Sequence, residues 1–509
     1  MVGQIKINKP KADEIINIAG KRGFFFPSGE AYSSTAGFWT YGHLGTLMKH
    51  KFENIWRDFF LGLDTNYFEI EDVNILSRGV FQSSGHLAHF NDPLTECSKC
   101  HFRFRADELI EDEIGINVDG LKEKELDKMI KDNKLKCPKC GGGLGNVKFF
   151  NMMFDLRVGV TGDSVMYLRP ETAQSAFVSF KREFMALREK LPMGLAIIGK
   201  AFRNEISPRQ GFFRLREFTQ AELQIFFDPK NIDEAERWEE IRNYKLKLFL
   251  VRDRNKGGVL EISCADANKK IGLPKFYVYH LAQVQKFYLE LLKIPEVKFR
   301  FRELSEKERA FYNQIHFDAE IELDTLGGFK EVSGVHYRGG YDLTQHQKGS
   351  KEKFEILYDG KKFIPHVLEL SFGVDRHIWA LMDLFFKKEK ERVFFSFPAG
   401  VAPIDVAVFP LVSKDKLPEK ATEVYELVRN MDFYVLYDSK GSIGRMYRRV
   451  DEIGCPCMIT VDHKSLKDNT VTLRDRDSMK QIRIKIAKLD DVLRKYLAGE
   501  KLAKLGKII

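Results

Sequence analysis

The chain has 509 residues, 44% of them hydrophobic, which is ample for a large core spread over two to four domains. Its net charge of +9 permits a polyanionic partner such as RNA without requiring one. No apolar run approaches the roughly 18 residues that a membrane span needs, MVGQIKINKPKADEIINIAGKRG holds no signal-peptide core, and seven sparse cysteines argue against a disulfide framework. A reducing cytoplasm is the expected compartment.

In chain order, the N-terminal stretch reads as an amphipathic helix with Ile15, Ile16 and Ile18 on its apolar side. A Gly-, Ser- and Tyr-rich loop over 28–45 follows. Leu44, Leu47, Met48, Phe52, Ile55, Trp56, Phe59 and Phe60 then recur at helical spacing and predict a long helix with a wide apolar face. Cys97-x-x-Cys100 and Cys137-x-x-Cys140 each fall in a tight turn. Four thiolates in two such pairs suit a tetrahedral zinc site, structural because no coordination position stays open; four buried thiols are the plain alternative. The 36 residues between the pairs exceed the usual separation, and the acidic stretch Asp107 to Asn133 is expected to loop out as helix between two knuckles. Cys264, Cys455 and Cys457 look incidental.

NMMFDLRVG predicts a strand leading to Tyr167-Leu-Arg-Pro-Glu-Thr-Ala-Gln. Pro170 stops it, and Glu171 falls at the start of a helix with Phe177, Phe180, Phe184 and Leu187 on one side, where a carboxylate is an ordinary partner of the helix dipole. Ala196 to Phe202 is apolar enough for a buried strand ending at Arg203, and Asn204 to Gly211 carries turn chemistry. From Phe213 the alternation puts Arg214, Arg216, Phe218, Gln220, Glu222 and Gln224 on one face and Leu215, Ala221, Leu223 and Ile225 on the other. Two arginines, an aromatic and a carboxylate on one face predict a polar cleft for something anionic, flat and amine-bearing; a solvated edge strand is the alternative. Gly194 to Ala201 nearly spells a phosphate-binding loop, but it lacks the final Ser or Thr and is an apolar strand.

Residues from about 230 to 320 read as a helical insertion in the catalytic domain, and His280 and His316, without ligand spacing, read as core or surface residues. Farther on, Phe329, Glu331 and Ser333 share a predicted strand face, as do Val367, Glu369 and Ser371. Gly373 allows a turn into a helix burying Ile378, Leu381 and Leu384, with Arg376 in its first turn beside free N–H groups that favour phosphate. PAGVAP at 398–403 reads as a boundary. Beyond it, IDVAVFPLV, a helix near 416–430, FYVLYD, a helix near 442–453, CMITVD, VTLRDRD, QIRIKI and a helix from Leu489 to Leu497 alternate as a separate α/β domain. Arg445, Arg448 and Arg449 make one of its helices basic, which by itself fits a solvated face.

Taken together, SGH…F.DPL…C from Ser84, RFRAD at Arg103 to Asp107, RPETAQ, FRNEISPR with Arg214-Leu-Arg-Glu-Phe218, YDLTQH, LSFGVDR, GSIGRMYRRVDEIG and RDRD resemble the class II aminoacyl-tRNA synthetases, in particular the archaeal and eukaryotic glycyl-tRNA synthetase family. The resemblance implies an α+β fold: an antiparallel-sheet catalytic core with insertions, one a four-cysteine zinc module at 91–150, and an anticodon-binding domain at 398–509. Residues 1–90 and 151–397 would make up the core. It implies ATP-dependent ligation of glycine to tRNA(Gly) through a glycyl-adenylate, releasing AMP and pyrophosphate, by a homodimer joined through the 44–60 helix; periodicity alone fits an ordinary core helix equally well. It implies ATP contacts at Arg203, Asn204, Glu205, Phe213, Arg214, Leu215, Phe218, Glu331, Val332, Gly373 and Arg376. Among these, Arg203 and Arg376 would be catalytic, Phe218 and Arg376 would sandwich adenine, and Glu331 would hold Mg2+.

Glycine contacts are implied at Glu171, Glu222, Glu369, Leu370, Ser371 and Arg105, structural Zn2+ at Cys97, Cys100, Cys137 and Cys140, and tRNA contacts at Arg445, Arg448 and Arg449. The chain departs from the family phrases at His43 (usually Pro), Ser175 (Gly), His336 and Tyr337 (Ala-Asp), Leu370 (Pro) and Asp375 (Gly). A class IIa enzyme for another amino acid and a non-catalytic RNA-binding relative are the alternatives. RPETAQ with Glu222 speaks against the first, and the retained Arg203, Arg214 and Arg376 against the second.

Overall fold

The computed structural model describes residues 8–509 except 117, 119, 207, 209, 210 and 311. Ser207, Arg209 and Gln210, in the turn expected at 204–211, therefore lie outside the described residues. The first helix, α1 (Lys9–Arg22), is capped by the Asn8 side chain and ends at Gly23 with φ 79°, a left-handed conformation that glycine adopts without penalty. Helix α2 (His43–Phe60) buries Leu44, Met48, Phe52, Trp56 and Phe60 at four-residue intervals. Its aromatic face meets Phe287 and Phe372, and each such side chain contributes roughly 1.5–3 kcal/mol of burial. His43 takes the first helical position, its ring 2.7 Å from where a Gly23 Cβ would be.

Nine strands form the central sheet: β1 (Tyr67–Glu69), β2 (Met193–Phe202), β3 (Glu217–Phe227), β4 (Lys245–Phe249), β5 (Leu260–Ser263), β6 (Phe299–Glu303), β7 (Ile315–Leu323), β8 (Gly328–Gly339) and β9 (His366–Gly373). The spatial order is β5-β4-β6-β7-β8-β9-β3-β2-β1, antiparallel except at β2–β1 and β4–β6. Ala221, Leu223, Ile225, Leu368, Leu370 and Phe372 point into the main core. The opposite face is apolar at one end, where α3 (Ala173–Ala186) packs Phe177 and Phe180 on Phe226 and Val367, and polar over the rest. Helix α4 (Lys275–Lys286) packs on the core side. Helices α5 (Tyr341–Ser350) and α6 (Val374–Phe385) follow β8 and β9.

Four sequence expectations change. The segment near 230–320 is not a helical insertion: besides α4 it supplies β4, β5, β6 and the start of β7, which extend the sheet. NMMFDLRVG contributes one arm of a hairpin, Phe154–Val158 paired with Ser164–Leu168, so the strand leading to Arg169 is the second arm. Strand β3 begins only at Glu217, and Arg216 turns aside to donate to the Glu205 and Ala36 carbonyls. Finally, the β7–β8 register shifts between Ala319 and Glu320. This bulge, with two residues opposite one, separates Glu331 from Ser333, and the Ser333 hydroxyl accepts from the buried Tyr288 hydroxyl.

The C-terminal domain follows the predicted alternation: β10 (Val406–Pro410), α7 (Leu417–Arg429), β11 (Val435–Tyr437), α8 (Ile443–Glu452), β12 (Cys457–Val461), β13 (Thr470–Asp475), β14 (Gln481–Lys485) and α9 (Leu489–Leu497). The sheet order is β11-β10-β12-β13-β14, its first three strands parallel. It has its own core, yet Met446 and Val450 of α8 pack into the main cluster of the catalytic half. Among the described residues no helix is long and apolar enough to cross a membrane.

Candidate active site

The polar face of the sheet floors a cavity of about 190 Å³. The register sets Glu222 opposite Ser371 and His336 opposite Glu369, and Glu171 arrives from the turn before α3. Three carboxylates thus converge. Glu222 accepts from the hydroxyls of Thr172 and Ser371, both at 2.6 Å. Glu369 accepts from Gln224 at 2.8 Å, from Arg338 at 3.0 Å, and pairs with His336 Nδ1. Glu171 accepts from Gln174 at 2.9 Å and lies 3.6 Å from His86 and 3.7 Å from Arg338.

These groups titrate apart. Burial, with the charges of Glu369 and Glu171, pushes the Glu222 carboxyl up to about 7. Burial raises Glu369 as well, against the pull of Arg338. Burial also acts upward on Glu171, but the charges of His86 and Arg338 outweigh it and hold that carboxyl below the ordinary range. The hole is negative yet holds part of its charge as protons, ready to be displaced by an incoming cation.

At the other end the cavity is lined by Arg203, Glu205, Phe213, Arg214, Leu215, Phe218, Glu331, Val332, Gly373 and Arg376, bringing together residues separated by over 170 positions. Arg203 donates to the Pro170 carbonyl at 3.1 Å and lies between the rings of Phe90 and Phe218, 5.5 and 5.3 Å from their centroids. Arg376 pairs with Glu331 at 3.1 Å and lies 5.4 Å over Phe213. The aromatic contact of Arg376 is therefore with Phe213, whereas Phe218 is engaged by Arg203. Arg214 donates to Glu205 at 2.9 Å and pairs with Glu108 of the cysteine-bearing segment.

Three expected contacts fall elsewhere. Arg105 does not line the cavity: Asp107 holds it at 3.1 Å and Asp92 at 3.3 Å, because the strand Arg103–Arg105 belongs to the small sheet of the cysteine module. Leu370 is fully buried on the core face of β9, since alternation turns it away from Glu369 and Ser371. Asn204 lies off the cavity lining, its backbone N–H bonded to the Met152 carbonyl. Asp375, another departure, is buried and accepts from the Tyr41 hydroxyl at 2.6 Å and the Thr219 N–H at 2.5 Å, tying the N-terminal loop to β3.

Sequence reasoning missed the group that braces the hole. Arg338 is 2% exposed and grips Asp342 through two bonds of 2.8 and 2.9 Å while reaching Glu369. Its spacing to Asp342, across Gly339 and Gly340 into α5, was the available signal. His86 and Gln174 complete the brace, and the Gln174 amide oxygen accepts from His346 Nε2 at 2.8 Å.

Cys97, Cys100, Cys137 and Cys140 cluster with all four sulfurs within 4.8 Å of one another. The Cys97–Cys140 and Cys100–Cys137 separations of 3.5 and 3.6 Å approach the ~3.8 Å of a tetrahedral thiolate site with 2.3 Å metal–sulfur bonds. Gly142 closes the second knuckle, where a Cβ would meet the Cys97 sulfur at 2.9 Å. The donors fit a structural metal. The intervening stretch forms two helices, Ala106–Ile114 and Glu123–Asp132, and Asn117 and Asp119 between them lie outside the described residues.

In the C-terminal domain Arg445, Arg448 and Arg449 share α8 with Arg22 of α1 nearby. Arg448 pairs with Glu391 and Arg449 with Asp438, so both are tied within the chain. Arg474 of RDRD is buried on Asp451, which also accepts from Arg392 of the connecting segment, and Arg476 donates to the Phe397 and Gly454 carbonyls. These guanidinium groups seal the seam between the two halves.

Comparison with known proteins agrees with this architecture. Residues 158–385 match the model of the tRNA synthetase class II core domain (G, H, P, S and T), and residues 405–496 that of the anticodon binding domain. A crystal structure of prolyl-tRNA synthetase from Cryptosporidium parvum, complexed with L-proline and AMP, superposes with a TM-score of 0.60 at 13% identity, over 97% of this chain and 78% of that one; it shares the fold. The fold is that of a class II aminoacyl-tRNA synthetase.

Sequence relatives narrow the class. Glycine–tRNA ligase of Thermococcus gammatolerans is 38% identical over 97% of this chain and all of its own length. The Pyrococcus horikoshii enzyme is 38% identical over 96% of this chain and 99% of its own, and that of Methanothermobacter thermautotrophicus 36% over 95% and 98%. The chain belongs to the glycine–tRNA ligase family.

Proposed function

We propose that the cavity activates glycine with ATP and that the enzyme transfers the glycyl group to tRNA(Gly). A glycine carboxylate oxygen attacks the α-phosphorus of ATP and pyrophosphate leaves. The terminal ribose hydroxyl of the tRNA then attacks the adenylate carbonyl and AMP leaves. The carrying observation is the juxtaposition of a three-carboxylate hole with a wall of Arg203, Arg214 and Arg376. The first places an ammonium; the second offsets the repulsion between two anionic reactants and stabilises charge on the transferring phosphate. Arg203 serves the α-phosphate, Arg214 and Arg376 the β and γ phosphates, and Phe213 and Phe218 flank the base. Glu331, an oxygen donor at the cavity rim, suits Mg2+, which supplies charge neutralisation on the phosphates when bound.

A pocket distinguishes one methylene by only about 1–3 kcal/mol, so glycine is selected by filling the side-chain space. Thr172 and Ser371 are both bonded to Glu222 there, and Glu369 is held by Gln224 and Arg338, so none of them can part for a larger residue without losing those bonds. We assign Zn2+ to the four cysteines, a homodimer to the α2 region, tRNA binding to the C-terminal domain with Arg445 as its freest α8 arginine, and the cytoplasm as the compartment. Amino-acid-dependent ATP–pyrophosphate exchange tests the specificity: glycine alone supports exchange, and alanine or serine at rates near that of glycine would overturn the reading. Analytical ultracentrifugation tests the dimer.

A further inference from the structure

A second cluster of ligands lies on the two strands next to Glu369, on the same sheet face. His316 and Asp318 alternate along β7, and the register sets His316 beside His336 and Asp318 beside Gly334. The two imidazole rings lie 4.0 Å apart, and His316 Nε2 is 2.9 Å from Asp318 Oδ1. One ligand atom from each of the three residues lies within 4.8 Å of the others. All three side chains are withdrawn from solvent, 12%, 8% and 16% exposed. Gly334 makes the room: a Cβ there would sit 2.2 Å from His336 Nε2.

The surroundings of both imidazoles carry the argument further. Asn313 places Nδ2 3.3 Å from His316 Nδ1, while its own Oδ1 is buried without a partner. Turning that amide over satisfies the orphaned oxygen, which then accepts from His316 Nδ1–H. The lone pair of His316 is thereby placed on Nε2, toward Asp318. Glu369 acts likewise on His336, accepting from Nδ1–H and leaving Nε2, over Gly334, as the free donor atom. Outer partners that fix the tautomer are what metal-ligating histidines have.

We infer that His316, Asp318 and His336 form a binding site for a divalent transition metal of the zinc class, separate from the cysteine cluster and from Glu331. Two imidazole nitrogens and one carboxylate oxygen favour Zn2+ over Mg2+. The metal replaces the proton shared by His316 Nε2 and Asp318. Three protein ligands leave a fourth position open, and because His336 lines the cavity that position faces the amino-acid end. The site stands independently of the reaction proposed for the cavity.

The test is metal content of the full chain, dialysed against Zn2+ and then metal-free buffer, read by inductively coupled plasma mass spectrometry. The wild type holds about two equivalents, as two complete ligand sets require. H316A and H336A each hold one, and C97S/C100S loses the other. Reloaded with Co2+, C97S/C100S keeps the visible bands of a nitrogen- and oxygen-ligated ion, and adding H336A abolishes them. Anomalous scattering at the zinc edge places a peak among the three side chains. A single equivalent, lost with the cysteines and kept in both histidine variants, overturns the inference. Loss of glycine activation in H336A at unchanged metal content also counts against the metal, and leaves the reaction of the cavity standing.

Discussion

Glu222→Gln separates the electrostatics of the glycine hole from its shape. Burial and two neighbouring carboxylates move the Glu222 carboxyl from 4.5 to about 7, and each unit is 1.36 kcal/mol between protonation states. The shift therefore amounts to about 3 kcal/mol of stability forgone once the group ionises. The sign follows from the direction. Below pH 4.5 the carboxyl is protonated in both folded and unfolded chains and nothing is lost; through the window from 4.5 to about 7 the unfolded chain ionises first and stability falls; above 7 the full cost is present. Glutamine is isosteric, uncharged, and still meets the Thr172 and Ser371 hydroxyls, one of which rotates to accept. The variant is expected to melt several degrees above wild type at pH 8, each kcal/mol being worth roughly 2–4 °C in a domain of 150–250 residues, and to coincide with it at about pH 4, below the window.

The same substitution removes the anion that glycine's ammonium needs. In wild type the KM for glycine in ATP–pyrophosphate exchange rises as pH falls below about 7, by up to roughly tenfold per unit, because Glu222 must release its proton for the ammonium to bind. In the variant the KM is high and this pH dependence is gone. Equal melting differences at about pH 4 and pH 8, or a variant that retains the wild-type pH profile, would refute the reasoning.

Arg203→Ala is expected to lower adenylation roughly 10²-fold or more, as when one transition-state charge partner is removed; exchange near the wild-type rate would dismiss the role. Arg338→Met leaves Asp342 and Glu369 buried without their cation, so thermal denaturation should show a loss of roughly 3–5 kcal/mol, which lysine does not restore because it cannot grip Asp342 at two points. Cys137→Ser should release one metal equivalent and open residues 91–150 to limited proteolysis, with the C-terminal domain left intact. Asp451→Ala strands Arg392 and Arg474 at the seam between the halves, and calorimetry should then resolve the C-terminal domain as a separate, earlier transition.

Periodicity and spacing are local properties, and what they encode was legible. The four-residue beat of Leu44, Met48, Phe52, Trp56 and Phe60 could only be a helix with one buried face, and the strand–helix alternation after residue 403 could only be an α/β domain. The even-numbered positions from Phe218 to Gln224 announced a polar strand face, and two Cys-x-x-Cys turns announced a four-sulfur cluster. The tertiary structure alone decided which of these groups meet. A one-residue bulge at Val332, opposite Ala319 and Glu320, kept the Glu331 carboxylate at the cavity and turned the Ser333 hydroxyl to Tyr288, and no pattern in β8 by itself contains the partner strand that creates the shift. Ion pairs behave the same way. Arg105 was drawn to Asp92, Arg474 to Asp451, and Arg338 to Glu369 of the hole, because a buried guanidinium goes to the nearest anion in space. Residues far apart in the chain supply that anion, so the sequence names the charges and only the folded sheet pairs them.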